Sequence, residues 1–503
     1  MKEYKTTISV LAICMVLAAC TNGQKNECDE ASDSLAVHEP TLEELTLPDT
    51  AFASTEAVTF VVDIADSSAN NLKDFDDRYA KKDRVCAFRA NLMRNADFGG
   101  RVEGEPDTVI VDWTFRTAED YTQTNFGTWG GGTGWTGQPL FDGTNIIVAS
   151  LCGRIYFIDY KTGEAAREPL YAGNVLKGTP SLDPEYPNLY VGHGVPNHSP
   201  FGQEVYDLES YERTCFISRD TKAWRGWGAF DSSPIVAGGY LFWAGENGTI
   251  YKYVRAKGNL QRVAALRYKV GGRAPGMESS ICVYRNYGFC SDNHGNILAV
   301  NLNTMRPVWY YNNHDDSDGT IVCREEEGTP YLYAACEVDK QGMNGTCHFV
   351  KLCALNGQLV WDCKIPCARI QLGEKILDGG VYCTPLVGSG DCEKLAFFNI
   401  CRNSAAPTRG EFVAVNTDNG TVVYSVPLRS WAWSSPIAFH NEEGKTYIFT
   451  GDASGNIYLI RGHDGKVLYT QRVGNNFESS PIAVGNTAVV GSRGNGIYKF
   501  SIK

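Results

Sequence analysis

The stretch SSPIAFHNEEGKTYIFTGDASGNIYLIRGHDGKVLY, residues 434–469, contains every element of a pattern that recurs along the chain. It begins with two small polar residues and a proline, continues into an apolar strand, and then places glycine-containing turns before two further strands. The last strand ends in an aromatic residue, Tyr469, four residues after Gly465. Short apolar strands separated by glycine turns are typical of antiparallel β-structure.

The small polar start of this unit occurs eight times. The copies are Thr136-Gly137-Gln138-Pro139, Lys177-Gly178-Thr179-Pro180, Ser232-Ser233-Pro234, Ser279-Ser280-Ile281, Gly319-Thr320-Ile321, Cys383-Thr384-Pro385, Ser434-Ser435-Pro436 and Ser479-Ser480-Pro481. Successive proline or proline-equivalent positions lie 41, 54, 47, 40, 64, 51 and 45 residues apart. Periods of this length predict a β-propeller with one four-stranded blade per repeat.

The end of the chain predicts how the ring closes. After Pro481 only three strands remain, over residues 482–484, 488–491 and 497–502, whereas one spare strand, residues 109–115, precedes the first full repeat. Adding the spare strand to the last three removes an open sheet edge. The sequence therefore predicts an all-β fold, an eight-bladed β-propeller whose last four-stranded blade is completed by an N-terminal strand.

The N-terminus has the features of an export signal. Lys2 and Lys5 precede an apolar run over residues 8–17, and Leu17-Ala18-Ala19-Cys20 is similar to the lipobox of bacterial lipoproteins. This predicts a lipoprotein signal peptide over 1–20 with a diacylglycerol and palmitate anchor on Cys20; an ordinary cleaved signal is the alternative. We expect a lipid-anchored protein of the outer membrane, on its periplasmic or surface face.

The rest of the chain divides by composition. Residues 21–57 are polar and acidic and predict a disordered tether, and 58–105 predict a lead-in segment packed on the propeller, with a strand over 58–64 and a short helix over 83–95. The propeller occupies 106–503. A formal net charge of −12 excludes a nucleic-acid partner, because phosphate binding requires a basic surface.

The repeated Ser-Ser-Pro, Gly-Asn-Ile-Tyr and Gly-Gln-Leu-Val-Trp elements over residues 109–503, together with Phe88-Arg89-Ala90-Asn91, resemble the pyrroloquinoline-quinone-like repeat family. That family includes quinone-dependent dehydrogenases and the non-catalytic propeller lipoprotein of the outer-membrane barrel-assembly machinery. The resemblance implies the propeller fold and leaves both functions open.

Residues typical of the dehydrogenases are missing from the sequence. It contains no adjacent cysteine pair, no Cys-x-x-Cys-His haem motif and no zinc-ligand spacing. The nearest candidate for a cation site is Asp315-Asp316-Ser317-Asp318-Gly319, but a solvated turn between blades is the preferred interpretation of this run. We therefore expect no catalytic residues, no metal and no cofactor.

Aromatic residues supply the positive indication of function. Arg225, Trp227 and Phe230 precede the inner strand of blade 3, and Arg429, Trp431 and Trp433 precede that of blade 7. Because these blades are opposite in an eightfold ring, we expect both groups, with Trp129 and Trp135, to surround the channel mouth. Tryptophan beside arginine suits a protein or glycan ligand; the alternative is packing between blades.

Cysteines near three hairpins predict disulfides, with buried free thiols as the alternative. The candidate pairs are Cys282 with Cys290, Cys323 with Cys336, and Cys383 with Cys401. The sequence thus predicts a non-enzymatic, membrane-tethered scaffold that binds an envelope protein or glycan at the channel mouth, with a role in outer-membrane protein assembly. The alternatives are a pyrroloquinoline-quinone-dependent oxidoreductase and a surface glycan-binding lipoprotein for polysaccharide uptake.

Overall fold

The computed structural model describes residues 39–49, 58–69, 71–119, 122–124, 127–134, 137–196 and 198–503, and Leu42–Lys503 forms one compact unit. The predicted signal peptide and Cys20 lie outside the described residues. The only helical segments described are Leu42–Leu45, Ser67–Ala69 and Gly390–Cys392. No helix in these ranges has the length and apolar character needed to cross a membrane.

Eight antiparallel sheets follow one another along the chain, and the predicted propeller is confirmed. From the inner to the outer strand, blade 1 comprises Leu140–Phe141, Asn145–Ala149, Arg154–Asp159 and Leu170–Tyr171; blade 2 Ser181–Leu182, Asn188–Gly192, Gly202–Asp207 and Glu212–Ser218; blade 3 Ile235–Ala237, Tyr240–Gly245, Thr249–Ala256 and Asn259–Val270; blade 4 Cys282–Tyr284, Tyr287–Ser291, Asn296–Asn301 and Arg306–Asn312.

The remaining blades follow the same order. Blade 5 comprises Val322–Glu326, Thr329–Ala335, Asn344–Cys353 and Leu359–Ala368; blade 6 Leu386–Val387, Leu395–Cys401, Gly410–Asn416 and Val422–Pro427; blade 7 Ile437–His440, Thr446–Gly451, Asn456–Arg461 and Val467–Arg472; blade 8 Ile482–Val484, Thr487–Gly491, Gly496–Ile502 and Val109–Arg116.

Blade 8 is the predicted composite. Val109–Arg116 pairs antiparallel with Gly496–Ile502, and the register places Trp113 opposite Lys499 and Phe115 opposite Ile497. The chain therefore completes its last blade, and so closes the ring, with a strand from its N-terminal side.

In the part of the chain that the structure describes, six short strands between Thr122 and Gly380 lie outside the regular strand order of the blades. Thr122–Thr124 and Gly127–Trp129 form one hairpin, and Ile370–Leu372 and Lys375–Leu377 form another. Glu337–Val338 and Gly379–Gly380 pair with each other and extend the sheet of blade 6. The second hairpin and these two strands all fall within the 64-residue interval between Ile321 and Pro385, which explains why that interval is the longest.

The small polar residues of the repeat connect the blades around the channel. The residue just before the proline position donates its backbone N–H to the equivalent hydroxyl of the next blade: Gln138 to Thr179 Oγ1, Ser233 to Ser280 Oγ, Ser280 to Thr320 Oγ1, and Thr384 to Ser435 Oγ, at 2.8–2.9 Å. Each blade therefore satisfies a buried polar group of its neighbour, which is why the motif requires small hydroxyl residues.

The glycine and the aromatic residue of the outer hairpin also act between blades. Gly357 of blade 5 has a φ of +71°, and a Cβ there would lie 2.6 Å from the ring of Trp309 in blade 4. Trp309 donates its indole N–H to Ala354 O at 3.0 Å. Trp361 of blade 5 lies in the same way beneath Gly420 of blade 6. The aromatic ring of one blade thus fills the space left by a glycine in the next.

Residues 72–102 of the lead-in segment cover one end of the channel. Backbone hydrogen bonds join it to inner strands: Val85 with Phe141, Cys86 O with Leu182 N, Leu92 O with Val283 N, Met93 O with Cys323 N, and Gly100–Arg101 with Phe439 and His440. The predicted strand over 58–64 is present upstream of these residues, where Val58–Ile64 adds a fifth strand to blade 3. The predicted helix over 83–95 is wrong, because this backbone forms only isolated turns, such as Ala90 N to Ala87 O, and bonds to the propeller between them.

Two buried arginines fix the lead-in segment. Arg89 Nη2 donates to Pro436 O at 2.9 Å, and Arg94 Nε donates to Ile281 O at 2.9 Å. Burial lowers the pKa of Arg89 to about 9 and that of Arg94 to about 10. Their partners are carbonyls of inner-strand entries that line the channel, so the lead-in segment fills this end, whereas a cavity lies at the opposite end.

The three predicted disulfides are wrong, since all six thiols are free. Cys282 lies opposite Phe289, so Cys282 and Cys290 are on opposite faces of blade 4. Cys323 lies opposite Leu332, which leaves Cys336 beyond reach along the strand. Cys383 Sγ accepts a hydrogen bond from Asn399 N, whereas Cys401 Sγ donates to Ala432 O in the next blade's entry.

Candidate binding site at the channel mouth

One position of the repeat places side chains at the open end of the channel. It is the third residue before the proline position, and the described members, called here the neck ring, are Lys177, Asp231, Glu278, Asp318, Tyr382, Trp433 and Glu478. The lead-in segment contacts the inner strands at residues that follow the proline position. The neck-ring side chains precede that position, so they lie toward the opposite end of the channel. Phe88 of the lead-in segment forms the floor beneath Glu278, Asp318 and Tyr382.

A first group of carboxylates lies at blades 3 and 4. Asp231, Glu246 and Glu278 each bring a carboxylate oxygen within 4.8 Å of the others, and we call them the first triad. The ammonium group of Lys177 forms an ion pair with the fully buried carboxylate of Asp231. Desolvation opposes the charge of Lys177, but the three carboxylates raise its pKa above the ordinary value. The first triad is therefore neutralised in part by a lysine of the same chain.

Arg225 also contacts the first triad. Arg225 Nη1 donates to Glu246 O at 2.7 Å and lies 3.8 Å from Glu246 Oε2. Burial raises the pKa of Glu246 well above its ordinary value, and the charges of Glu278 and Asp231 raise it further. A carboxyl group in this position retains its proton more readily than one in water.

A second group of carboxylates lies at blades 5 and 6. Asp316, Asp318 and Glu337, called the second triad, also bring their oxygens within 4.8 Å of one another. Lys340 Nζ lies 2.7 Å from Asp316 Oδ2. Among the described residues no basic side chain forms an ion pair with Asp318 or Glu337, and Glu337 Oε1 and Asp318 Oδ1 accept no hydrogen bond. Asp318 and Glu337 therefore lack a lysine partner of the kind that Lys177 provides for the first triad.

Desolvation and mutual repulsion shift the acidity of the second triad. Glu337 is only 3% exposed, and burial raises its pKa well above the ordinary value, with a further contribution from Asp316. Burial and the neighbouring carboxylates likewise raise the pKa of Asp318, and burial raises that of Asp316 to about 6. These groups would gain from a positive charge placed among them.

An aromatic wall stands beside the second triad. The rings of Trp433 and Tyr382 stack with centroids 4.6 Å apart, and Trp431 lies 4.9 Å from Trp433. The buried guanidinium of Arg402 lies 5.4 Å from the centre of the Trp431 ring. Trp431 and Trp433 are themselves half-buried, so part of each ring faces the cavity.

Carboxylates and aromatic wall enclose one cavity, the mouth cavity, of about 500 Å³. The neck-ring members in its lining are Glu278, Asp318, Tyr382, Trp433 and Glu478. Ile376 and Leu377 of the hairpin Ile370–Leu372/Lys375–Leu377 line its edge, and Ile376 remains 43% exposed. The cavity thus combines buried negative charge, flat rings and an apolar edge, a combination suited to a ligand with a cationic and an apolar part.

The structure brings some of the predicted residues together at this cavity. Trp431 and Trp433 line it, and Arg225 contacts the first triad. Trp129 lies at the same end, with its ring centre 5.9 Å from Lys177 Nζ. Whether Trp227 faces the blade 7 group across the mouth remains a prediction.

Other predicted residues have different surroundings. Phe230 is buried in blade 3, where its ring packs 5.6 Å from that of Trp243, so it is not offered to a ligand. Arg429 Nη1 reaches Asn456 Oδ1 of its own blade at 3.5 Å. Trp135 lies outside the described residues.

Sequence reasoning missed most of the acidic residues. Asp231, Glu278 and Glu478 occupy the same repeat position as Trp433, so aligning the eight copies three residues upstream would have revealed the neck ring. Glu337 lies in the long interval between repeats, and no sequence signal locates it. Within the acidic run, Asp316 and Asp318 join the second triad, whereas Asp315 accepts backbone N–H bonds from Asp339 and Lys340 and has a structural role.

Comparisons with known proteins agree with the repeat and the fold. The profile of the family "Outer membrane protein assembly factor BamB" matches residues 408–503. The fold is similar to a europium-containing methanol dehydrogenase, at 14% identity and a TM-score of 0.62 over 84% of this chain and 98% of that one. It is also similar to BamB from Moraxella catarrhalis, at 13% identity and a TM-score of 0.53 over 78% of this chain and 100% of that one.

A third similar structure is the quinohemoprotein alcohol dehydrogenase ADHIIG from Pseudomonas putida HK5, at 10% identity and a TM-score of 0.60 over 84% of this chain and 81% of that one. A search of curated proteins found no match. The molecule is therefore an eight-bladed β-propeller. Its residues 408–503 are similar to the assembly-factor family named above, and its repeats are similar to the pyrroloquinoline-quinone-like type.

Proposed function

We propose that this protein is a non-enzymatic scaffold of the bacterial envelope that binds a partner protein at the open mouth of its channel. In this proposal the chain is tethered to the outer membrane through lipid on Cys20 and takes part in outer-membrane protein assembly. The match of residues 408–503 to the assembly-factor family supports the assembly role. The lipobox-like sequence supports the tether.

The observation that carries the binding role is the mouth cavity. Aromatic residues that are partly exposed in a pocket and surrounded by buried polar groups are the usual centre of a protein interface. Trp431 and Trp433 have this setting, with Tyr382 and Arg402 behind them. The hydroxyl and backbone bonds around the neck hold the cavity in shape before a partner arrives, which lowers the entropic cost of binding.

Site-specific photo-crosslinking in living cells tests this function. The photoreactive residue p-benzoylphenylalanine replaces Ile376 at the edge of the cavity, and in a matched control it replaces Val467 on the outer strand of blade 7, which is similarly exposed at 38%. We expect a discrete protein adduct at position 376 that does not form at position 467. Absence of an adduct at 376, or the same adducts at both positions, would contradict the proposal. A glycan as the occupant would leave no protein adduct and would bind on a glycan array.

A quinone-dependent oxidoreductase is the second candidate, because both triads offer the oxygen donors that a divalent cation prefers. The quinone itself fits less well. Pyrroloquinoline quinone carries several carboxylates, and in the mouth cavity it would face Glu278, Asp318, Glu337 and Glu478. Incubation with the quinone and Ca²⁺, followed by gel filtration, tests this candidate: retained quinone absorbance would favour the enzyme and oppose the scaffold.

A further inference from the structure

Among the described residues, Asp318 and Glu337 of the second triad line the mouth cavity and form no ion pair with a basic side chain. We infer that the second triad and the aromatic wall receive an arginine side chain from the partner, so that the partner presents a basic segment to the channel mouth. This inference rests on the proposed function, and it specifies the chemistry of the partner at that same site.

The first triad shows how this protein balances three carboxylates. Asp231, Glu246 and Glu278 share the ammonium group of Lys177, which enters from the neck ring of the neighbouring blade and pairs with Asp231. The second triad also has three carboxylates whose oxygens lie within 4.8 Å of one another. Its only basic partner among the described residues is Lys340, on Asp316. By comparison with the first triad, Asp318 and Glu337 lack a cation.

Two of the atoms that would receive the cation are buried and accept no hydrogen bond, although Glu337 also bonds to the side chains of Tyr382 and Asp318. Glu337 is 3% exposed, and its Oε1 has no hydrogen-bond partner; Asp318 Oδ1 is in the same state. Leaving buried carboxylate oxygens without donors costs free energy, which an entering group with several N–H donors would recover. Both residues line the mouth cavity, so such a group reaches them from solvent without unfolding the protein.

The aromatic wall favours guanidinium over ammonium. A planar guanidinium can lie against an aromatic face while its edge bonds to a carboxylate, whereas an ammonium group is a compact point charge. The protein already contains the ring contact, because the guanidinium of Arg402 lies 5.4 Å from the centre of the Trp431 ring. The stacked pair Trp433 and Tyr382 offers a second surface of the same kind beside Asp318 and Glu337.

The edge of the cavity and the overall charge agree with a basic, partly apolar segment. Leu372 and Ile376 of the hairpin are 66% and 43% exposed and would contact apolar residues next to the arginine. The net charge of −12 attracts a basic partner at long range. An arginine flanked by apolar residues therefore matches the three features of the site: carboxylates, rings and apolar edge.

Isothermal titration with two matched peptides tests the inference. The first is an acetylated, amidated pentapeptide with a central arginine flanked by leucines, and the second carries citrulline, which keeps the shape of arginine and lacks its charge. We expect the arginine peptide to bind the full chain at least 10-fold more tightly than the citrulline peptide. The preference should fall at least 10-fold in Glu337→Gln and in Asp318→Asn, and it should persist in Glu168→Gln, which changes an exposed glutamate on blade 1.

Circular dichroism of each variant confirms that it folds. Because the two residues of the triad are changed in separate variants, the test can still be made if one variant does not fold. Equal affinity for both peptides overturns the inference, and so does a preference that both triad variants retain. Ca²⁺ added alone is the third probe: binding of Ca²⁺ that depends on Glu337, without discrimination between the peptides, assigns the triad to a metal and also overturns it. The adduct at position 376 forms or fails independently of these titrations, so failure of the arginine inference is distinguishable from failure of the proposed function.

Discussion

The indole Nε1 of Trp113 donates a hydrogen bond to the carbonyl oxygen of Tyr160 at 3.0 Å. Trp113 lies on the strand that completes blade 8, and Tyr160 follows the third strand of blade 1. A Cβ at Gly163, the glycine of the same turn, would lie 2.6 Å from the Trp113 ring. The bond and the ring together join the two blades at which the propeller closes.

Replacing Trp113 by alanine should therefore weaken the closure. The change removes a partly buried ring and its hydrogen bond, and we expect a loss of about 3 kcal/mol in the free energy of unfolding. Urea unfolding followed by fluorescence measures it. Trp224→Ala is the matched control, because Trp224 is 37% exposed and its ring contacts Lys269 of blade 3 instead of another blade, so its loss should be about 1 kcal/mol. Equal losses in the two variants would show that Trp113 does not join the blades.

Two glycines of blade 5 separate the effect of backbone conformation from that of close packing. Gly357 and Gly328 both have positive φ, +71° and +80°, but a Cβ at Gly357 meets Trp309 and one at Gly328 meets nothing within 4 Å. Gly328→Ala should cost about 1 kcal/mol for the left-handed backbone alone. Gly357→Ala should cost about 2 kcal/mol more, because the Trp309 ring must shift. Thermal unfolding of both variants measures the difference, and no difference would argue against the packing of Trp309 under Gly357.

The buried carboxyl of Glu337 should make stability depend on pH. Its pKa in the folded protein lies well above 4.5, so the folded state binds more protons than the unfolded state, and stability falls as pH rises above about 4.5. The groups that face it are Asp316, Asp318, Glu278 and Tyr382. Glu337→Gln cannot lose that proton, so its Tm should exceed that of the unmodified protein by about 2 °C or more at pH 8, and the gap should narrow at pH 5.

The control for this pH dependence is Glu168→Gln, an exposed change that should leave the Tm unaltered at both pH values. Differential scanning fluorimetry over pH 5–8 measures the Tm of both variants and of the unmodified protein. A Tm of Glu337→Gln that lies below that of the unmodified protein at pH 8 would mean that the ionised carboxylate stabilises the fold, against the burial described here.

The free thiols predict a specific labelling result. Burial raises the pKa of Cys401 to about 11 and that of Cys383 to about 12, so iodoacetamide should react slowly with both in the folded protein. In denaturant without reductant, both should react completely, as should Cys282, Cys290, Cys323 and Cys336. Mass spectrometry of the labelled peptides detects this. Any of the six that requires prior reduction for labelling would be disulfide-bonded, contrary to the structure.

The fold was predictable because the repeat carries it. Seven of the eight copies place a hydroxyl residue directly before the proline position, where blades exchange hydrogen bonds, and several place glycine where the neighbouring aromatic ring needs space, so the pattern is visible without any contact being known. The spare strand over 109–115 was identifiable for the same reason, since an incomplete last blade requires one more strand. The disulfides failed because symmetry about a turn, estimated to within one residue, does not determine which face a side chain occupies.

The site was predictable only where it follows the repeat. Trp431 and Trp433 stand directly before a Ser-Ser-Pro motif and were found from that position. Glu337 enters the cavity from a two-residue strand inside a long interval, and Glu246 from the second turn of blade 3. Their approach to the neck ring is a long-range contact that depends on how blades pack, which local sequence does not encode.

The most direct test of the central claim, that a partner protein binds at the open mouth, is the yield of the crosslinked adduct at position 376 when the aromatic wall is removed. With Trp431→Ala and Trp433→Ala in the same chain, we predict that the adduct falls at least 10-fold while the protein stays folded. In the control Trp224→Ala the yield should be unchanged. Full adduct yield without the two tryptophans would show that the partner does not bind at the aromatic wall.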